Sequence, residues 1–164
     1  MHMEIATQRR LIYVRADPGE DLLEVLQAAA EREGIHHGAI LCGVGSLSAY
    51  HYHVVGTAEL PPENAHVRGE GPFDIVTATG AIMGGRVHAH ISFSDQKVAM
   101  GGHMHEGCTV LTFAIVLIAD TSDTPLDGWD TVGSWAETQS QARRFPANRP
   151  TIACDGQPFD RPGG

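Results

Sequence analysis

Residues 86–105 read RVHAHISFSDQKVAMGGHMH, and the alternation of residue types in this stretch is the clearest indication of the fold. From Arg86 to Phe93, apolar side chains alternate with histidine and serine, which predicts a strand with one apolar and one polar face. Residues 94–97, Ser-Asp-Gln-Lys, have the composition of a hairpin turn, and residues 98–100 are mainly apolar again. The stretch therefore predicts two antiparallel strands joined by a short turn.

The flanking sequence adds one helix and further strands. Residues 20–33 carry leucine, valine and alanine at helical spacing and are followed by Gly34, which predicts a helix with a glycine cap. Strands and turns are predicted from short apolar runs and glycine clusters. The predicted strands are 10–15, 39–42, 47–55, 73–83 and 108–119, and the last of them is expected to be buried on both faces. A bend is predicted at 43–46, a loop at 69–72 and a turn at 84–85. One N-terminal helix followed by many strands predicts an α+β domain with a mainly antiparallel β-sheet.

The C-terminal segment has a different composition. Proline, glycine, aspartate and arginine become frequent, and apolar residues become sparse. We therefore expect residues 1–125 to form the domain and residues 126–164 to form an irregular tail. This tail is expected to pack on the domain or on a neighbouring subunit through Trp129, Trp135 and Phe145.

Composition excludes some classes of protein. The 164 residues are 42% apolar and 19% charged, which is typical of one folded domain. The net charge of −9 disfavours binding to nucleic-acid phosphates, and Arg143, Arg144 and Arg149 are the candidates for a local basic patch. No apolar run reaches about 18 residues, so no membrane span is expected. Three scattered cysteines and no secretory signal favour reduced thiols in the cytoplasm.

Histidines are the most informative residues of the chain. Three pairs of histidines of the His-x-His type occur, at residues 51/53, 88/90 and 103/105. On a strand, residues i and i+2 point to the same face about 6.6 Å apart, so two imidazoles can converge on one ion. The pair His88 and His90 lies on the polar face of its strand, and a bend at Gly101-Gly102 is expected to present His103 to it. These three residues predict a divalent-metal site with an open fourth position. Zinc is the first candidate, although imidazole ligands also suit copper, nickel and iron.

Neighbouring residues extend this candidate site. His105 is a possible further ligand, and Glu106 is a candidate base beside the metal. Other interpretations remain open, because a single His-x-His on a strand is more often part of a solvated polar face. His51 and His53, which alternate with tyrosines, fit an ordinary half-buried strand.

Five motifs in a fixed order resemble the plants-and-prokaryotes conserved domain (PPC domain), which accompanies AT-hook motifs in plant nuclear proteins and stands alone in bacteria and archaea. They are PGEDLL at 18–23, GVGSL at 43–47, HAHIS at 88–92, GGHM at 101–104 and EGCTV at 106–110. The resemblance covers roughly residues 10–120 and is to the stand-alone bacterial type. It implies an α+β fold, a homotrimer and a metal bound by His88, His90 and His103.

This chain departs from the family pattern in three respects. The family usually carries a glutamate in its last apolar strand, whereas residues 115–118 here read Ile-Val-Leu-Ile. His105 replaces a residue that is usually apolar, which adds a potential ligand. The AT-hook is absent, so the DNA-binding label of the family does not transfer with the motifs.

Three functions are compatible with the sequence. The first is a trimeric zinc-binding protein with a binding or regulatory role. The second is a metal-dependent enzyme that acts on a small molecule through the three histidines. The third is a DNA-associated protein, which the acidic charge disfavours. A small molecule at the open metal position fits the first two.

Overall fold

The computed structural model describes residues 3–59 and 61–131, which form six strands and one helix. In chain order the elements are β1 (Arg10–Ala16), α1 (Leu22–Arg32), β2 (Gly38–Val55), β3 (Asn64–Met83), β4 (Arg86–Ser94), β5 (Ala99–Met104) and β6 (Val110–Asp120). The predicted α+β class with a mainly antiparallel sheet is confirmed. Of the predicted tail, only residues 126–131 are described, so Trp135, Phe145 and the three arginines lie outside the described residues.

All six strands belong to one sheet, in the order β1-β6-β2-β3-β4-β5, and each pairing is antiparallel. A further pairing joins the edge strand β5 to β2, with His53 opposite His103 and Tyr52 opposite Met104. The strands β2, β3, β4 and β5 therefore close into a ring at this end of the sheet. This closure brings side chains from distant parts of the chain together.

The predicted bend and the predicted loop both lie inside long strands. Residues 43–46 belong to β2 and residues 69–72 belong to β3. Gly45 and Gly71 have φ angles of 148° and 151°, and the strand register shifts near both positions. Glycine permits this backbone conformation, so each strand bulges and continues to pair instead of ending.

The helix α1 packs on one face of the sheet. Asp21 caps its first turn by accepting hydrogen bonds from the backbone N–H groups of Leu23 and Glu24. Gly34 has a left-handed φ of 62°, as expected for the residue after a helix end. The Gln27 side chain donates to the Gly85 carbonyl at 2.9 Å and accepts from the Val87 N–H at 3.0 Å, which attaches the start of β4 to the helix.

The other face of the sheet carries exposed apolar side chains. Leu111 and Phe113 of β6 are 41% and 40% exposed in the single chain. The expectation that this strand is buried on both faces is therefore wrong for the isolated chain. The reason is that α1 covers only one face. The remaining large apolar side chains exposed on β1, β2 and β3 include Leu11, Tyr13, Leu41, Val44 and Val76. No helix in the described part of the chain is long and apolar enough to cross a bilayer.

Candidate metal centre

The strands β4 and β5 bring His88, His90 and His103 together. His88 and His90 are two residues apart on β4, and His103 on β5 lies directly opposite His90. One ring nitrogen of each residue lies within 4.8 Å of the others. The ring centroids are 5.6 Å apart for His88–His90, 4.5 Å for His88–His103 and 5.2 Å for His90–His103. We call these three residues the histidine trio.

Two glycines allow β5 to approach its neighbours. Gly101 and Gly102 were expected to form a bend, but they lie within β5 and neither has a positive φ. A Cβ on Gly101 would overlap the Ile91 carbonyl oxygen of β4, and one on Gly102 would lie 2.8 Å from Cδ2 of Tyr52 on β2. The glycines are therefore required for the close packing of β5 between two strands.

Two imidazoles of the trio, those of His90 and His103, are held in the neutral form that binds metals. Burial, followed by the neighbouring histidines His88 and His53, lowers the pKa of His103 from 6.5 to about 4. Burial and then His88 also lower the pKa of His90. A neutral imidazole has one nitrogen with a free lone pair. Three imidazole nitrogens directed at one point suit Zn²⁺ and related ions. The donor set therefore fits the metal that the family resemblance implies.

Asp130 contacts the trio, which the spacing of the residues did not predict. Its Oδ2 atom lies 3.4 Å from Nδ1 of His88 and 2.6 Å from Nη2 of Arg86. Burial alone would raise the pKa of Asp130, but the bonds from His88 and Arg86 lower it, so the carboxylate is ionised at neutral pH. A carboxylate that accepts from Nδ1–H leaves Nε2 of His88 free to bind a metal. Asp130 lies in the predicted irregular tail, where no motif marked it.

His105 lies beside one member of the trio, because its ring centroid is 5.3 Å from that of His103. The β4–β5 pairing ends at His103, and β5 then pairs with β2, which takes His105 toward His53. Nε2 of His105 lies 2.7 Å from Nδ1 of His53. Among the described residues, the ligand atoms that converge with those of His88 and His90 include neither His105 nor the Glu106 carboxylate. The structure groups His105 with His53 and His103, and the roles of His105 as a further ligand and of Glu106 as a base stay predictions.

A model of the Plants and Prokaryotes Conserved (PCC) domain matches residues 3–122 of the chain. The chain belongs to this family. It is the PPC family that the sequence motifs resemble, so that prediction is confirmed. Two PPC-like folds illustrate the similarity. A metal-containing protein from Archaeoglobus fulgidus is 18% identical, with a TM-score of 0.65 over 74% of this chain and 86% of that chain. A plant- and prokaryote-conserved (PPC) protein from Pyrococcus horikoshii is 23% identical, with a TM-score of 0.63 over 73% and 84%.

Two curated relatives of this PPC chain are much longer than it is. Both are named bifunctional protein GlmU and come from Synechococcus strains, with 29% identity over 113 residues and 30% over 112. The matches cover 68% and 67% of this chain but 17% of each relative. The similarity to them therefore concerns one segment of those proteins.

Proposed function

We propose that this PPC-family protein binds a divalent transition metal, with zinc as the first candidate, through His88, His90 and His103. The observation that carries the proposal is the convergence of three ring nitrogens within 4.8 Å. The hydrogen bond from His88 to Asp130 supports it, because metal-binding histidines commonly donate their second N–H to a carboxylate. The similar fold of a metal-containing archaeal protein is further support.

The biological role that fits this arrangement is binding or regulation. Three protein ligands leave a fourth position, where a bound ion acts as a Lewis acid toward a small-molecule ligand. The catalytic alternative needs a free base beside the metal, whereas the carboxylate that contacts the trio, that of Asp130, is engaged with His88 and Arg86. We therefore favour a binding role over the catalytic alternative.

We further propose that the protein is a homotrimer in the cytoplasm. The exposed apolar face formed by β1, β2, β3 and β6 supports self-association, because soluble monomers rarely expose large apolar patches. The family resemblance favours three-fold symmetry. Cys42 and Cys108 carry free thiols, which fits a reducing compartment.

Sequence-specific DNA binding is not part of this proposal. The chain has 20 acidic and 11 basic residues, and such a balance repels phosphate backbones on average. A protein of this charge would need a dedicated basic arm to read DNA.

Zinc binding by single-histidine variants tests the proposal. The protein is purified without a polyhistidine tag, stripped with a chelator and titrated with zinc in competition with a chromophoric chelator. His90→Ala is expected to lose tight binding at the trio, because two imidazoles make a poor site. His36→Ala is the matched control, since His36 is exposed and belongs to none of the convergent histidine groups. Equal zinc binding by both variants would contradict the proposal.

A further inference from the structure

A second group of histidines lies next to the trio, where β2 pairs with β3 on one side and with β5 on the other. His53 of β2 lies opposite His66 of β3 and also opposite His103 of β5. His51 precedes His53 by two residues, and His105 follows the end of β5. We call His51, His53, His66 and His105 the histidine quartet. The sequence did not single out His66, which is isolated between segments predicted as strands.

The rings of the quartet are in direct contact. Nε2 of His51 lies 3.1 Å from Nδ1 of His66, and the ring of His51 stacks on that of His105 with centroids 4.6 Å apart. The His66 and His105 centroids are 4.9 Å apart. One ring nitrogen from each of His51, His66 and His105 lies within 4.8 Å of the other two. This convergence matches that of the trio, and the two groups of three share no residue.

The backbone fixes the tautomer of His51. Its Nδ1 atom lies 2.8 Å from the carbonyl oxygen of Glu106. A carbonyl oxygen only accepts hydrogen bonds, so Nδ1 carries the proton and Nε2 carries the lone pair that faces His66. Metal-binding histidines commonly donate their other N–H to a carbonyl in this way. The His105 N–H also donates to the His51 carbonyl at 2.9 Å, so these two residues are connected through the backbone.

We propose that His51, His66 and His105 form a second metal-binding site that takes a divalent transition ion such as Zn²⁺, Ni²⁺ or Cu²⁺. Two nitrogens bound to one tetrahedral zinc at about 2.0–2.1 Å each lie about 3.3 Å apart, close to the 3.1 Å between His51 and His66. Ligands that are all imidazole favour these ions over Mg²⁺ and Ca²⁺.

The burial of the three ligands indicates how the second site is reached. His51 is buried at 7% exposure, His105 is half-buried and His66 is exposed. The ion therefore enters from solvent on the His66 side. His53 lies between the two sites, because its ring is 4.9 Å from that of His105 and 4.6 Å from that of His103.

Zinc stoichiometry in a set of variants tests the second site. Untagged, chelator-stripped protein is titrated with zinc by calorimetry, and the bound zinc is measured by elemental analysis after equilibrium dialysis. Wild type and the His36→Ala control are expected to bind about two ions per chain. His66→Ala and His90→Ala are each expected to bind about one, and the double variant none. Melting curves of the zinc-free proteins verify folding, which the exposed position of His66 favours.

The outcomes separate the second site from the trio. A wild type that binds about one zinc per chain, or a His66→Ala variant that binds as much as His36→Ala, would overturn the second site. Loss of about one ion in His66→Ala but none in His90→Ala would support the second site and contradict the trio. His105→Ala serves as an independent variant and is expected to behave like His66→Ala.

Discussion

His90 and His103 face each other directly across the β4–β5 pairing, with ring centroids 5.2 Å apart and ring planes at 85°. The hairpin register, in which Ser94 pairs with Ala99, produces this relationship. The same strand β5 also places His103 opposite His53 of β2. The geometry of both histidine groups therefore depends on how closely β5 fits between β4 and β2.

The substitution Gly101→Ala tests this dependence. The added Cβ would overlap the Ile91 carbonyl oxygen and lie 2.8 Å from Cα of Ser92, so β5 must move away from β4. We expect a loss of about 1–3 kcal/mol in the free energy of unfolding, as for other overpacked sites, and weaker zinc binding by the folded protein. Urea denaturation and zinc titration measure these effects. Ala99→Ser, at the exposed start of β5, is the control. Wild-type stability and zinc affinity in Gly101→Ala would contradict the close-packing argument.

Asp130→Asn tests the carboxylate that contacts His88. The neutral amide accepts a hydrogen bond from Nδ1–H less strongly and no longer raises the basicity of the ring, so zinc should bind roughly 10–100-fold more weakly. A chelator competition assay measures the change. Asp123→Asn is the matched control, because Asp123 is exposed and pairs with Arg9, not with a histidine. If the two variants bind zinc with the same affinity, Asp130 does not support the site.

Much of the trio could be predicted from local sequence. Alternation places His88 and His90 on one face, and Asp95 begins a short turn in which its side chain accepts from the N–H groups of Lys97 and Val98. A short turn fixes the register, and the register places His103 opposite His90.

Other features depend on pairing between distant segments. The glycines at 45 and 71 suggest a bend as readily as a bulge, and only the pairing of β2 with β3 and β6 decides between them. His66 reaches its group through the pairing of β3 with β2, and Asp130 reaches the trio through a segment beyond β6. Neither contact has a signature in the spacing of nearby residues.

Asp120 should make the stability of the protein depend on pH. Its side chain is 2% exposed, and burial alone would raise its pKa, but hydrogen bonds from Ser122 and Arg10 lower the pKa below its usual value. Because the folded pKa is the lower one, the ionised carboxylate contributes its full stability above the unfolded pKa of about 3.9, and this contribution is lost as the pH falls through the folded pKa.

The variant Asp120→Asn isolates this effect. At pH 7 we expect wild type to exceed the variant by about 1–3 kcal/mol in the free energy of unfolding, as for hydrogen bonds to charged groups. The difference should shrink as the pH falls below about 4. Urea denaturation of both proteins between these pH values provides the measurement. A difference that does not change with pH would show that ionisation of Asp120 does not stabilise the fold.

Sedimentation equilibrium tests the proposed trimer. We expect about three times the chain mass of 17.6 kDa at micromolar concentration, because association covers the apolar face of the sheet. Phe113→Asp places a charge on this face and should lower the mass, whereas Val98→Asp in the β4–β5 turn should not. The mass of one chain would refute self-association, and the mass of two would refute three-fold symmetry.

Anomalous diffraction from crystals of the zinc-loaded protein, recorded at the zinc absorption edge, locates the bound metal itself. We expect a strong peak about 2.0–2.1 Å from one ring nitrogen of each of His88, His90 and His103. The same peak should be absent in crystals of His90→Ala and present in those of His36→Ala. Zinc-loaded wild-type crystals with no anomalous peak at these three histidines would contradict metal binding by the trio.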